Sequence, residues 1–109
     1  MNEQMEELNK IMEGYLAERR AYVMKREEIY QDRFLVDCQK NFYIGLIDAL
    51  STNNSAEAKT VILTATGLIS NFEITQEKSK EMCDIINSMI KDVDVCIHNI
   101  QNSISNWSV

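Results

Sequence analysis

Few residues in this chain could do chemistry: three cysteines, one histidine, two pairs of adjacent glutamates, and a row of arginines spaced by sevens. Cys96 and His98 form a C-x-H pair, a spacing that invites a metal-site reading. On a helix, however, side chains two positions apart point about 200° apart, so the pair cannot chelate one ion. Cys38, Cys83 and Cys96 are odd in number and contain no C-x-x-C. With no signal-peptide pattern at MNEQMEELNK, they read as free thiols in a reducing, cytoplasmic setting rather than a disulfide framework. Cys38 and Cys96 fall on apolar helical faces, where a thiol behaves as a small hydrophobe. Glu6-Glu7 and Glu27-Glu28 are the closest carboxylates in sequence, but helical neighbours diverge by about 100° and are solvated. There is no Gly-rich phosphate loop, no H-E-x-x-H, no G-x-S-x-G, and no nucleophile with a base in reach. The expectation is a protein without catalytic residues, metal, cofactor or small-molecule substrate.

The most specific pattern lies in the first half. Met5, Met12, Arg19, Arg26 and Arg33 share one position of a seven-residue repeat, and Leu8, Tyr15, Tyr22 and Ile29 the position three on. Three arginines thus interrupt an apolar stripe that also carries Tyr15, Tyr22 and Tyr30. Three readings stand side by side. The stems lie on apolar surface with the guanidinium groups stacked on Tyr rings. Alternatively, the arginines pair with carboxylates of a second chain or partner protein. An Arg/Tyr stripe could also hold RNA, but Glu18, Glu27, Glu28 and Asp32 would repel phosphate. The partner-binding set is therefore Arg19, Arg26, Arg33, Tyr15, Tyr22 and Tyr30.

The elements that position these residues follow from composition. Of 109 residues none is proline and three are glycine, Gly14, Gly45 and Gly67. That is too few turn formers for a β fold and predicts an all-α chain. Residues 3–50 are filled with Glu, Lys, Arg, Leu and Met, which lose little entropy in a helix. Ser51-Thr52-Asn53-Asn54 is the one strong turn cluster, and Asn54 with Glu57 reads as a capping box for a second arm from about 55 to 106. Two nearly equal arms predict a long antiparallel hairpin forming a single domain over 1–109. It would be coiled-coil-like, or kinked into three or four helices.

Sevenfold repeats carry the second arm as well. Val61, Leu68, Thr75, Met82, Met89 and Cys96 form one row; Ala65, Phe72, Ser79, Ile86, Val93, Ile100 and Trp107 form the other. Trp107, the single tryptophan, reads as the packed end of this seam. Ile90, Ile97 and Ile104 widen the stripe, which looks too broad for one neighbour. Poor helix formers at Ser70–Thr75 suggest a break or kink there. In the first arm the stripe moves at Leu35 to Cys38, Phe42, Leu46 and Leu50, which suggests a kink near Gln31–Phe34 or a partner on another face. Charge is sparse over 34–50 and 56–72, which are expected to form the densest core.

A net charge of −6 and a pI near 4.7 argue against nucleic-acid binding. No apolar run reaches membrane-spanning length. The leading expectation is a helical adaptor, chaperone or regulator that self-associates, dimerising into a four-helix bundle through Met82, Ile86, Met89, Ile90, Val93, Ile97, Ile100 and Trp107. The alternative is a small acidic inhibitor or immunity protein that blocks a basic enzyme or toxin.

Overall fold

The structure is a computed structural model and describes residues 3–107. Two helices account for nearly all of them: α1, Glu3–Leu50, and α2, Ala56–Trp107. No strand occurs among the described residues. The all-α reading is therefore correct.

The link between the helices is held by its own polar side chains. The Asp48 carbonyl accepts from the Ser51 amide at 3.4 Å and the Ser51 hydroxyl at 2.8 Å, and the Leu50 carbonyl accepts from the Asn53 amide at 3.0 Å. Carbonyls at the end of α1 that lack a helical donor are thereby satisfied. Asn53 Oδ1 then accepts from the Ser55 amide at 2.9 Å, and Ser55 Oγ from the Ala58 amide at 3.1 Å. The N-cap is therefore Ser55, one residue beyond the expected Asn54. Its hydroxyl reaches the amide three residues on, as a cap requires. Glu57, in the first turn, still lies at the positive end of the helix dipole.

The chain forms two compact units, and both helices contribute to each. The first comprises α1 as far as Glu28 with α2 from Cys83 onward. There the helices run antiparallel, since Arg19 bonds Asp94 while Arg26 bonds Asn87. Its buried residues are Cys83, Ile86, Ile90, Val93 and Ile97. The second comprises Ile29–Met82 and is a helical hairpin around the Ser51–Ser55 link. Its helices are antiparallel too, with Asp37 against Gln76, Lys40 against Glu73, and Tyr43 stacked on Phe72. Of its described residues only Ile29, Ala58 and Ala65 are buried.

Burial along each helix keeps one phase. On α1 the inward positions are Met5, Leu8, Met12, Tyr15, Arg19, Tyr22, Arg26, Ile29, Arg33, Val36, Lys40, Tyr43, Ile47 and Leu50, all buried or half-buried. They alternate steps of three and four, the period of a helix packed along another helix. On α2 the same rhythm runs through Ala58, Ile62, Ala65, Ile69, Phe72, Gln76, Ser79, Cys83, Ile86, Ile90, Val93, Ile97, Ile100 and Ile104.

Four expectations are corrected by this pattern. The inward face of α1 does not move at Leu35. It continues through Arg33, Val36, Lys40 and Tyr43, and Leu35, Cys38 and Phe42 are exposed on the outside. On α2 one expected row is right, but its companion is Ile62–Ile104 rather than Val61–Cys96. Ile90, Ile97 and Ile104 thus belong to the seam itself, and Val61, Met82 and Met89 sit on its exposed shoulder. No break divides α2 at 70–75: Thr75 Oγ1 bonds the Asn71 carbonyl at 3.0 Å, so its hydroxyl is used within the helix instead of capping a new one. Finally, the charge-poor stretches 34–50 and 56–72 are not the densest core: only Ala58 and Ala65 are buried there, and the larger apolar side chains that face inward, such as Val36, Tyr43, Ile47, Ile62, Ile69 and Phe72, are half-buried.

Candidate interaction surfaces

The arginine row takes its place from the inward rhythm of α1, which puts Arg19, Arg26 and Arg33 at successive equivalent positions. Each is half-buried, and each meets a different environment. Arg19 Nε donates to Asp94 Oδ1 at 2.7 Å in an ion pair whose side chains are 43% and 49% exposed. Its carboxylate partner is thus supplied by the same chain. Arg26 Nη1 donates to Asn87 Oδ1 at 2.8 Å, but its Nε is buried with no hydrogen-bond partner among the described residues. The Arg33 side chain has no hydrogen bond or ion pair to any described residue. The antiparallel register set by Asp37–Gln76 and Lys40–Glu73 brings Lys80 to its level.

The tyrosines of the row also diverge. Tyr22 Oη donates to Glu18 Oε1 at 2.5 Å, and this bond, which the carboxylate keeps only while the phenol is protonated, raises the Tyr22 pKa above its usual 10.0. Tyr15 lies against Cys96. Its electrostatic interaction with Cys96 and a hydrogen bond between the two raise the Tyr15 pKa as well. Tyr30 is exposed. The structure thus brings Arg19, Arg26, Tyr15 and Tyr22 together along the seam of the first unit, and places Arg33 and Tyr30 in the second.

Lys40 continues the arginine row at the same sevenfold spacing. Its Nζ lies 3.4 Å from Glu73 Oε1, with the Lys40 side chain 25% exposed, the most covered cation of the three ion pairs among the described residues. Counting seven beyond Arg33 would have found it. Tyr43, three further on, was missed for the same reason; it packs edge-on to Phe42 at 5.4 Å and stacks on Phe72 at 6.0 Å.

The residues expected to join two copies differ in exposure. Ile86, Ile90, Val93 and Ile97 are buried within the single chain, so one antiparallel neighbour suffices to cover them. Ile100 is half-buried. Met82, Met89 and Trp107 remain exposed, Trp107 at the last residue of α2 instead of packed into a core.

Among the described residues, no group of three or more His, Cys, Asp or Glu side chains is placed to hold a metal ion, and no helix is long and apolar enough to cross a membrane. Cys83 is buried, Cys96 half-buried and Cys38 exposed, all as free thiols. No family model, no curated protein and no solved structure matches this chain.

Proposed function

We propose that this chain is a non-enzymatic helical protein–protein interaction module, an adaptor, chaperone or regulator, that works as a self-associated dimer. In this reading the antiparallel helices are a coiled-coil-like pair, and two copies complete a four-helix bundle.

The observation that supports it is surface area. The chain exposes 8002 Å², whereas a folded monomer of its mass exposes about 6200 Å² by the usual scaling. The excess is more than twice the roughly 800 Å² that each partner buries in a standard interface. It includes large apolar side chains on the outward faces of both helices, among them Phe34, Leu35, Phe42, Leu63, Ile74 and Ile85. Surface of that kind is what a binding protein presents.

Light scattering on the purified chain at micromolar concentration tests the reading, with an expected mass of twice 12.6 kDa. A folded monomer that instead forms a salt-sensitive complex with a basic protein would replace it with the acidic-inhibitor reading.

A further inference from the structure

We infer that the second unit opens on its own: the helices of Ile29–Met82 separate while the first unit stays paired, so the end that the link closes is the first to come apart. A hairpin with an even seam would do the reverse and fray from its free ends. Nothing in this opening requires a second copy.

Burial separates the two units. Ile86, Ile90, Val93 and Ile97 are buried in the first, together with Cys83. The second buries one β-branched side chain, Ile29, and two alanines, Ala58 and Ala65, whose side chains are single methyl groups. Across its seam the Asp37–Gln76 bond is exposed and Lys40 pairs with a largely exposed Glu73, contacts that add little.

Intrinsic helix preference points the same way. Over 3–28, 20 of 26 residues are Ala, Leu, Met, Lys, Arg, Gln or Glu, whereas over 29–50 only 8 of 22 are. α1 thus loses its best helix formers where it enters the second unit. α2 does not offset the loss there. Thr60, Thr66 and Thr75 turn their hydroxyls back on carbonyls four residues earlier, at 3.0, 2.8 and 3.0 Å, which weakens a helix slightly. Gly67 stands in mid-helix with open space around it.

One effect opposes the opening. A first unit closed around an open second unit holds a loop of 54 residues, Ile29–Met82, in place of the short Ser51–Ser55 link. Loop entropy disfavours that state about thirtyfold. Each of the three further β-branched side chains buried in the first unit counts for about tenfold or more. Burial therefore outweighs loop closure, and the weaker helices add to it. Opening frees Arg33, Val36, Lys40 and Tyr43, half-buried in the closed hairpin, from α2. The second unit thereby acts as a gate over its own seam.

Residue-resolved hydrogen exchange by NMR on the wild type, Gly14→Ala and Gly67→Ala tests this. Amides of 34–47 and 60–76 are expected to exchange about tenfold or more faster than those of 15–26 and 84–97. Each alanine should slow exchange about two- to fivefold wherever its own unit must unfold first. The first unit comes apart only when the whole chain unfolds, so Gly67→Ala should slow both sets. Gly14→Ala should slow the first unit alone, since the second opens with Gly14 still in a folded helix. Neither glycine has a crowded Cβ position or a positive φ, so both variants are expected to fold. Any other pattern overturns the inference: equal wild-type rates, faster exchange in the first unit, a Gly14→Ala variant that slows both sets or neither, or a Gly67→Ala variant that leaves the second unit unchanged.

Discussion

Three arginines at equivalent positions of one helix contribute differently because α2 offers each a different group. Arg19 has a half-exposed carboxylate partner in Asp94, and such pairs add at most about 1 kcal/mol. Arg19→Met should therefore shift the thermal midpoint little. Arg26 leaves Nε buried without an acceptor among the described residues, and the Arg33 side chain has no hydrogen bond or ion pair to any of them. Methionine keeps the apolar stem and removes the desolvated charge, so Arg26→Met and Arg33→Met should be neutral or stabilising. Thermal melts of the three variants check this, and a loss of about 3 kcal/mol or more at Arg26 would show a buried pair instead. The tyrosines make a pH prediction. With their pKa values raised by Glu18 and Cys96, Tyr22 and Tyr15 contribute fully below the usual phenol value of 10.0, and that contribution fades as pH climbs through the higher folded values. Stability should thus be flat in these groups through neutrality and fall only in strong alkali. Denaturant midpoints against pH for Tyr22→Phe beside wild type measure it: the alkaline fall should be shallower in the variant.

Helix content and the position of the link were legible in the sequence, because an absence of proline and one polar cluster leave little choice. The inward faces were harder to read. On α2 the row Val61–Cys96 is as apolar as the true row Ile62–Ile104, so hydrophobicity alone could not choose between neighbouring positions 100° apart; the position of α1 decided it. On α1 the inward row turns cationic at Arg19 and stays so to Lys40, while apolar residues move outside. A reading that follows apolar residues leaves the seam there, whereas one that follows the sevenfold count does not. The candidate surfaces are legible to the same degree: the arginine row stands out in the sequence, but its extension to Lys40 and the exposure of Phe42 depend on which face packs. Local signals make sharper predictions. Ser55→Ala should cost about 1 kcal/mol by removing the bond to the Ala58 amide, while Asn54→Ala should cost a few tenths at most. Gly14 and Gly67 sit in mid-helix with open space for a methyl group and no positive φ, so alanine at either should add about 0.5–1 kcal/mol. Urea titrations of the four variants give both signs.

Among the described residues, the buried β-branched side chains concentrate on α2 from Ile86 to Ile97, far in sequence from the link. Ile90→Ala should accordingly cost about 2–5 kcal/mol, more than any substitution in the link. This separation between where the chain turns and where it buries most has a kinetic consequence. Asp37 and Gln76 are 39 residues apart, and Arg19 and Asp94 are 75 apart. Loop closure favours the shorter separation by about 0.6 kcal/mol per doubling. Pairing should therefore start beside Ser51–Ser55 and zip outward, so that the part that folds last is the part that holds most firmly. In stopped-flow measurements, Ser55→Ala should chiefly slow folding and Ile90→Ala should chiefly speed unfolding. The opposite assignment would put the folding nucleus at the aliphatic core and make the link a late arrival.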